Sequence, residues 1–241
     1  MSIKKIAICV VVNDSYWQTR YCIENLLGST NFKTKLYILN NGTTDKRLIN
    51  FCESLCFEEF GVHIVEETPI SMPKAKNKLL KLVEEDYICI LPPTLLVEKF
   101  WAEQLYCAYE NSRSGGVLSI RSGKEKLLIS PFLRKSQDEE DYLDNGWFQQ
   151  NNCVEGLLFL SKNIISEVGY FDEEMDAKGV EDMDYTFRAS ALGYTNFYIA
   201  KQSIVKIPTE NKILFPAISV ESLRSLRESI ENMSKTKIYK K

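Results

Sequence analysis

Ile6 to Val12 is an unbroken apolar run, IAICVVV, rich in β-branched residues. A strand with one face in water alternates polar and apolar positions, so a run without a polar residue reads as a strand covered on both faces. Strands of that kind belong to parallel sheets with helices on each side, and the rest of the chain keeps that rhythm. A polar loop from Asn13 to Ser15 leads into a helical period over Tyr16 to Leu27, which stops at Gly28. Lys35 to Leu39 is a second strand, with Asn40, Asn41 and Gly42 as turn residues. Asp45 suits the N-cap of a helix running through Phe60, and Val62 to Val65 is a third strand. Pro73 to Leu82 and Trp101 to Tyr109 read as helices, Asp86 to Leu91 and Gly116 to Ile120 as strands. The expected class is therefore α/β, a mainly parallel central sheet flanked by helices, with ligands beyond the C-terminal strand ends. Val12, Asn13 and Asp14, together with Asn40 to Thr43, fall on that rim.

Between Gly169 and Gly193 the chain joins a loop, an acidic step and a helix: GYFDEEMDAKGVEDMDYTFRASALG. Glu181, Asp182 and Asp184 lie in the first turn of that helix, where the macrodipole and the unpaired N–H groups favour carboxylates. Met183, Phe187, Ala191 and Leu192 form an apolar stripe, expected to pack inward and hold Asp182 at a fixed depth. A carboxylate held in this way can act as a base. Ordinary charge bias at a helix start is the other reading.

The run FDEEMDAKGVEDMDYTFRASALGY resembles a segment of family 2 glycosyltransferases and their GT-A relatives. In that family a Phe-Asp pair and a Gly precede a Glu-Asp-x-Asp step and a helix ending in Gly-Tyr. The resemblance spans roughly residues 5 to 208. It implies the GT-A fold, a nucleotide-sugar donor, and Asp182 as general base toward an acceptor hydroxyl with Glu181 beside it. YILNNGTTDK is similar to the family's strand followed by Asp-Asn-Gly-Ser-Thr-Asp, with Asn40 in place of the Asp that contacts the base. Asn donates and accepts where Asp only accepts, although a simple Asn-Gly turn also accounts for the pair. PKAKNKLLKL resembles the Ala-Arg-Asn step, in which Lys76 matches the residue facing the diphosphate and Asn77 the one near the pocket. A solvated basic face is the alternative for Lys76. On the acceptor side the resemblance implies Glu155 and Gly156 at the floor of the site, together with Asp184.

Two departures concern the metal. After the strand ending at Leu91 the family carries an Asp-x-Asp motif that holds Mg²⁺ or Mn²⁺, whereas this chain has Pro92, Pro93 and Thr94. The family's later His is replaced by the stretch containing Val205 and Lys206. No metal ligand and no cofactor are therefore expected; Mg²⁺ or Mn²⁺ would need ligands other than the family's. Thr94 remains as a neutral contact for the donor, and Lys76 and Lys206 as cations for its phosphates. Two functions stay open at this point: a glycosyltransferase, inverting and metal-independent, or an inactive transferase-like scaffold that partners an active enzyme.

Composition narrows the setting. A net charge of −3 argues against a protein that grips nucleic-acid backbone. Seven scattered cysteines, odd in number and without a C-x-x-C pair, suit free thiols in a reducing cytosol, so a cytoplasmic protein is expected. No apolar stretch approaches the about 18 residues that span a bilayer. The basic end SKTKIYKK reads as a solvated tail or as a weak hold on an anionic membrane surface. We expect a single domain over residues 1–241, with a nucleotide half at 1–94, an acceptor half at 95–208 and a helical tail at 209–241. A polar piece from Glu125 to Gly146 is expected as an acceptor-side loop, and a helix from Glu221 to Met233 as packing on the body or on another subunit. The acceptor itself would be a glycan, a lipid-linked sugar or a protein.

Overall fold

The computed structural model describes residues 5–13, 15–30, 33–55, 61–66, 68–112, 115–122, 148–150, 154, 156–176 and 180–207. The elements run β1 (Ile6–Val12), α1 (Tyr16–Ser29), β2 (Thr34–Asn41), α2 (Lys46–Leu55), β3 (Gly61–Glu66), α3 (Met72–Leu82), β4 (Tyr87–Leu91), β5 (Leu95–Val97), α4 (Trp101–Asn111), β6 (Leu118–Ser122), β7 (Phe148–Gln150), β8 (Leu158–Ser161), α5 (Lys162–Val168), α6 (Val180–Ala191) and β9 (Phe197–Lys206). Among the described residues the nine strands form one sheet in the order β3-β2-β1-β4-β8-β6-β9-β5, with β7 on β9.

The first four positions of that order are parallel, as the apolar runs require. Beyond β4 the sheet is mixed: β8 runs antiparallel to β4 and β6, β6 and β9 are parallel, and β5 and β7 are antiparallel to β9. The parallel pattern expected from the sequence thus describes β1 to β4 and not the strands beyond them. All seven residues of β1 are buried. Ile6, Ile8, Val10 and Val12 face a core shared with α1, α2 and α4, while Ala7, Cys9 and Val11 face a second core shared with α3, α5 and α6. Each buried Val or Ile contributes about 1.5–3 kcal/mol, so this strand anchors both layers.

Local chemistry explains the element ends. The Asp45 carboxylate accepts a hydrogen bond from the Arg47 N–H at 2.9 Å, the N-cap arrangement expected for α2. Part of the expected extent of that helix, 56–60, lies outside the described residues. Pro73 sits in the first turn of α3, where its missing N–H costs nothing. Gly42 has φ +80°, and a Cβ there would stand 2.7 Å from the Pro69 ring, so only glycine closes β2 against the segment ahead of α3.

Among the described residues no helix is long and apolar enough to cross a membrane. The expected loop at 125–146, the helix at 221–233 and the basic end lie outside the described residues.

Candidate active site

The C-terminal ends of β1, β2 and β4 share one edge of the sheet, since Val12 pairs with Asn40 and Val10 with Leu91. Two further stretches reach the same edge. β8 runs antiparallel to β4 with Leu158 opposite Ile90, which brings Gly156 there. β5 and β9 pair Leu95 with Lys206, and the Ile207 N–H donates to the Thr94 carbonyl at 2.7 Å. α3 starts after the C-terminal end of β3, so its first turns lie on this side too.

A buried charge cluster occupies this edge. The Lys76 ammonium donates to Glu181 Oε1 at 2.8 Å and to Asp182 Oδ1 at 2.5 Å, and the Gly156 N–H donates to Asp182 Oδ2 at 3.2 Å. Relative exposure is 8% for Lys76 and 4% for each carboxylate, so water screens these charges little. Glu181 Oε2 is buried with no hydrogen-bond partner among the described residues. Gly156 presents its N–H from φ +87°, a conformation that favours glycine. Burial raises the Asp182 carboxyl above its ordinary value; Lys76 and the Gly156 N–H oppose that rise, while Glu181 adds to it. Burial works to lower the Lys76 ammonium, yet the two carboxylates outweigh it and hold the group above its usual value. Lys76 is thus a cation at neutral pH, and Asp182 takes a proton more readily than a solvated carboxylate.

The helix reaches this depth by a different face from the one its apolar pattern suggested. α6 buries Glu181, Asp182, Tyr185, Thr186 and Ala189, whereas Phe187 is 41% and Leu192 58% exposed. The stripe of Met183, Phe187, Ala191 and Leu192 is corrected accordingly. The inward face looks polar in sequence because its carboxylates are balanced by a lysine from another helix. Tyr185 packs on Phe171 with ring centroids 4.7 Å apart, and the Lys76 ammonium lies 5.1 Å over the Phe171 ring. Phe171 is itself fixed by Asn77, whose side chain donates to the Phe171 carbonyl and accepts from its N–H, both at 2.9 Å. Lys76 and Asn77, expected on the donor side, are therefore engaged with the carboxylates and with the loop that precedes them. Their partners lie 105 and 94 residues away in sequence, and no local pattern signals either contact.

The other expected residues divide into three groups. Asn40 and Asn41 are on the rim: Asn40 Oδ1 accepts from the Thr43 N–H at 2.9 Å, and its Nδ2 is buried without a partner among the described residues. Asn41 clasps Ile70, donating to its carbonyl at 2.9 Å and accepting from its N–H at 2.8 Å. Val12 is fully buried in the core below the rim, and Asn13 is exposed above it. Asp184 stands apart from the cluster, accepting from Arg188 Nε at 2.8 Å, while that guanidinium also donates to the carbonyls of Val168 and Tyr170 at 2.9 Å. Asp184 therefore belongs to a clamp between α6 and the end of α5. Asp14 and Glu155 lie outside the described residues, as does the side chain of Lys206, whose backbone pairs in β9.

At the turn after β4 and in the nearby strands the described residues offer no set of ligands suited to Mg²⁺ or Mn²⁺. Pro92 and Pro93 have no ligating side chain, Thr94 has one neutral hydroxyl, and His63 is in the edge strand β3. Among the described residues no group of three or more His, Cys, Asp or Glu side chains could hold a metal ion.

No family model matches the chain, and no curated protein matches it in sequence. Solved structures do match its fold. GalNAc-T7 in complex with UDP, GalNAc and Mn²⁺ is 11% identical, with a TM-score of 0.67 over 95% of this chain and 48% of its own. S. aureus TarS 1-349 in complex with UDP-GlcNAc is 14% identical, with a TM-score of 0.65 over 94% of this chain and 65% of its own. The mannosyltransferase PcManGT from Pyrobaculum calidifontis, with GDP-Man and Mn²⁺, is 13% identical at a TM-score of 0.65, over 86% of this chain and 58% of its own. This chain spans about half to two thirds of those three structures. The fold is that of GT-A glycosyltransferases.

Proposed function

We propose that this chain is a glycosyltransferase of family 2 type that moves a sugar from a nucleotide-sugar donor to an acceptor hydroxyl with inversion at the anomeric carbon. The observation that carries the reading is Asp182, a carboxylate buried at the C-terminal strand edge of a GT-A fold and raised above its ordinary value. In the reaction the acceptor oxygen forms a bond to the anomeric carbon as the bond from that carbon to the phosphate oxygen breaks. The electron pair leaves with the nucleoside diphosphate, and the acceptor proton passes to Asp182. On this reading Asn13, Asn40, Asn41 and Thr94 serve the donor side, with Val12 packed beneath them, and Gly156 serves the acceptor side, while Asp14 and Glu155 are assigned to donor and acceptor by the sequence resemblance alone. A glycan, a lipid-linked sugar or a protein are acceptors of suitable chemistry.

Charge grows on the leaving diphosphate and needs a cation nearby. Lys76 is already engaged by two carboxylates, so we assign that task to Lys206, whose backbone stands opposite Leu95 next to Thr94. Donor binding without a divalent metal follows from this assignment. A cytoplasmic setting agrees with the five free cysteines among the described residues, four of them buried.

A second reading, a binding protein that keeps the cleft without turnover, draws support from the Pro92-Pro93-Thr94 turn. One experiment separates them. Purified chain is incubated with a panel of nucleotide sugars, with EDTA or Mn²⁺, and released nucleoside diphosphate is measured alongside direct donor binding. Release in EDTA that falls on Lys206→Ala supports the proposal; binding without release supports the second reading; binding only with Mn²⁺ overturns the metal-independent assignment.

A further inference from the structure

The cluster at the base of the site has an unequal charge count. Two carboxylates, Glu181 and Asp182, meet one ammonium, Lys76, and all three are buried. Among the described residues, the other groups in contact with the cluster bring no formal charge: the Gly156 N–H from the turn ahead of β8, and the rings of Phe171 and Tyr185 around the lysine and the helix. Arg188, the nearest cation on α6 itself, is committed to Asp184 and to two backbone carbonyls. The two carboxylates exceed the one ammonium by one unit of negative charge, and Glu181 Oε2 has no donor among the described residues.

We infer that Lys76, Glu181 and Asp182 act as one buried unit of net charge −1, in which Lys76 is the positioning residue that keeps Asp182 ionised and Glu181 supplies excess charge that, together with burial, makes it a base. A buried uncompensated charge is unfavourable, and a proton arriving on Asp182 takes the unit from −1 to zero. Both neighbours are needed. Without Lys76 the unit is −2, two adjacent carboxylates cannot both stay ionised, and one holds a proton at rest. Without the charge of Glu181 the unit is already neutral, and Asp182 becomes a salt-bridged carboxylate that takes a proton less readily, with burial alone favouring it. The inference rests on the transferase reading for its catalytic meaning, though not for its electrostatics.

The test uses ¹³C-carboxyl NMR titration of the full chain, with the Asp182 signal assigned by its loss in Asp182→Asn. Lys76→Met is expected to move the Asp182 midpoint up by about 1–3 pH units, and Glu181→Gln to move it down by about one unit or more. The double variant restores a net charge of −1, so its midpoint falls between those of the single variants. A purely structural Lys76 would instead leave the double variant as displaced as Lys76→Met. Lys76→Arg keeps the charge and stays near wild type, which keeps the test informative if the Met variant fails to fold. The acid limb of kcat/KM should follow the same order as the NMR midpoints. Midpoints in this order without any sugar transfer would uphold the charge unit and sink the transferase reading. Transfer by wild-type protein with one midpoint across all variants would do the reverse.

Discussion

The asparagine rim and the carboxylate cluster lie on one edge of the sheet and are built in opposite ways. At the rim the side chains are neutral amides tied to nearby segments: Asn40 to Thr43 three residues on, Asn41 to Ile70 twenty-nine residues on. In the cluster the groups are charged, buried and joined over more than a hundred residues, from α3 to α6. A turn can form as soon as its strand does, whereas the cluster exists only when both helices have docked on the sheet. The rim therefore depends on short-range sequence and the cluster on the finished fold, and substitutions should separate them.

The largest expected effect is on stability at the cluster. Removing one partner of a buried ion pair leaves an uncompensated charge, so Lys76→Met should lower unfolding free energy by about 3–5 kcal/mol in urea titrations. The loss should depend on pH with a definite sign. Without the lysine the folded chain holds a carboxyl proton that the unfolded chain releases, so the deficit widens as pH rises above the ordinary carboxylate range and narrows below it. A deficit that is flat with pH would mean that packing, not charge, is lost. Next comes the clasp under the cluster: Asn77→Ala orphans the Phe171 N–H and carbonyl, at about 1–3 kcal/mol, and should also lower kcat by loosening the ring beneath Lys76. Asp184→Ala is expected to be the smallest. It breaks a partly exposed i,i+4 pair with Arg188, worth about 0.3–0.5 kcal/mol, and should leave acceptor KM unchanged. A raised acceptor KM would return Asp184 to the acceptor site.

The same contrast explains what could be read from the chain without its structure. The uninterrupted apolar run of β1 announced burial on both faces, and the strand ends that follow it located the rim. Asp182 stood out through its place in the Glu-Asp-Met-Asp step. What stayed hidden was the partner of the carboxylates, because Lys76 looks like any surface lysine until α3 and α6 meet. The buried face of α6 was hidden for the same reason. A hydrophobic pattern assigns Met183 and Phe187 inward, and only a lysine from another helix makes it favourable to bury Glu181 and Asp182 instead. The antiparallel half was illegible too, since short strands such as β5 and β7 depend on pairing with the long β9 and show little period of their own.

The most direct test of Asp182 as the base is a comparison of wild-type protein and Asp182→Asn, in which donor affinity and the rate of sugar transfer are measured on the same preparations. A positioned base contributes about 10²–10⁴-fold, so the variant should bind the nucleotide sugar as wild type does and transfer it slower by about that factor. Equal transfer rates in the two proteins would contradict the assignment of Asp182 and, with it, the account of the cluster as the site of catalysis.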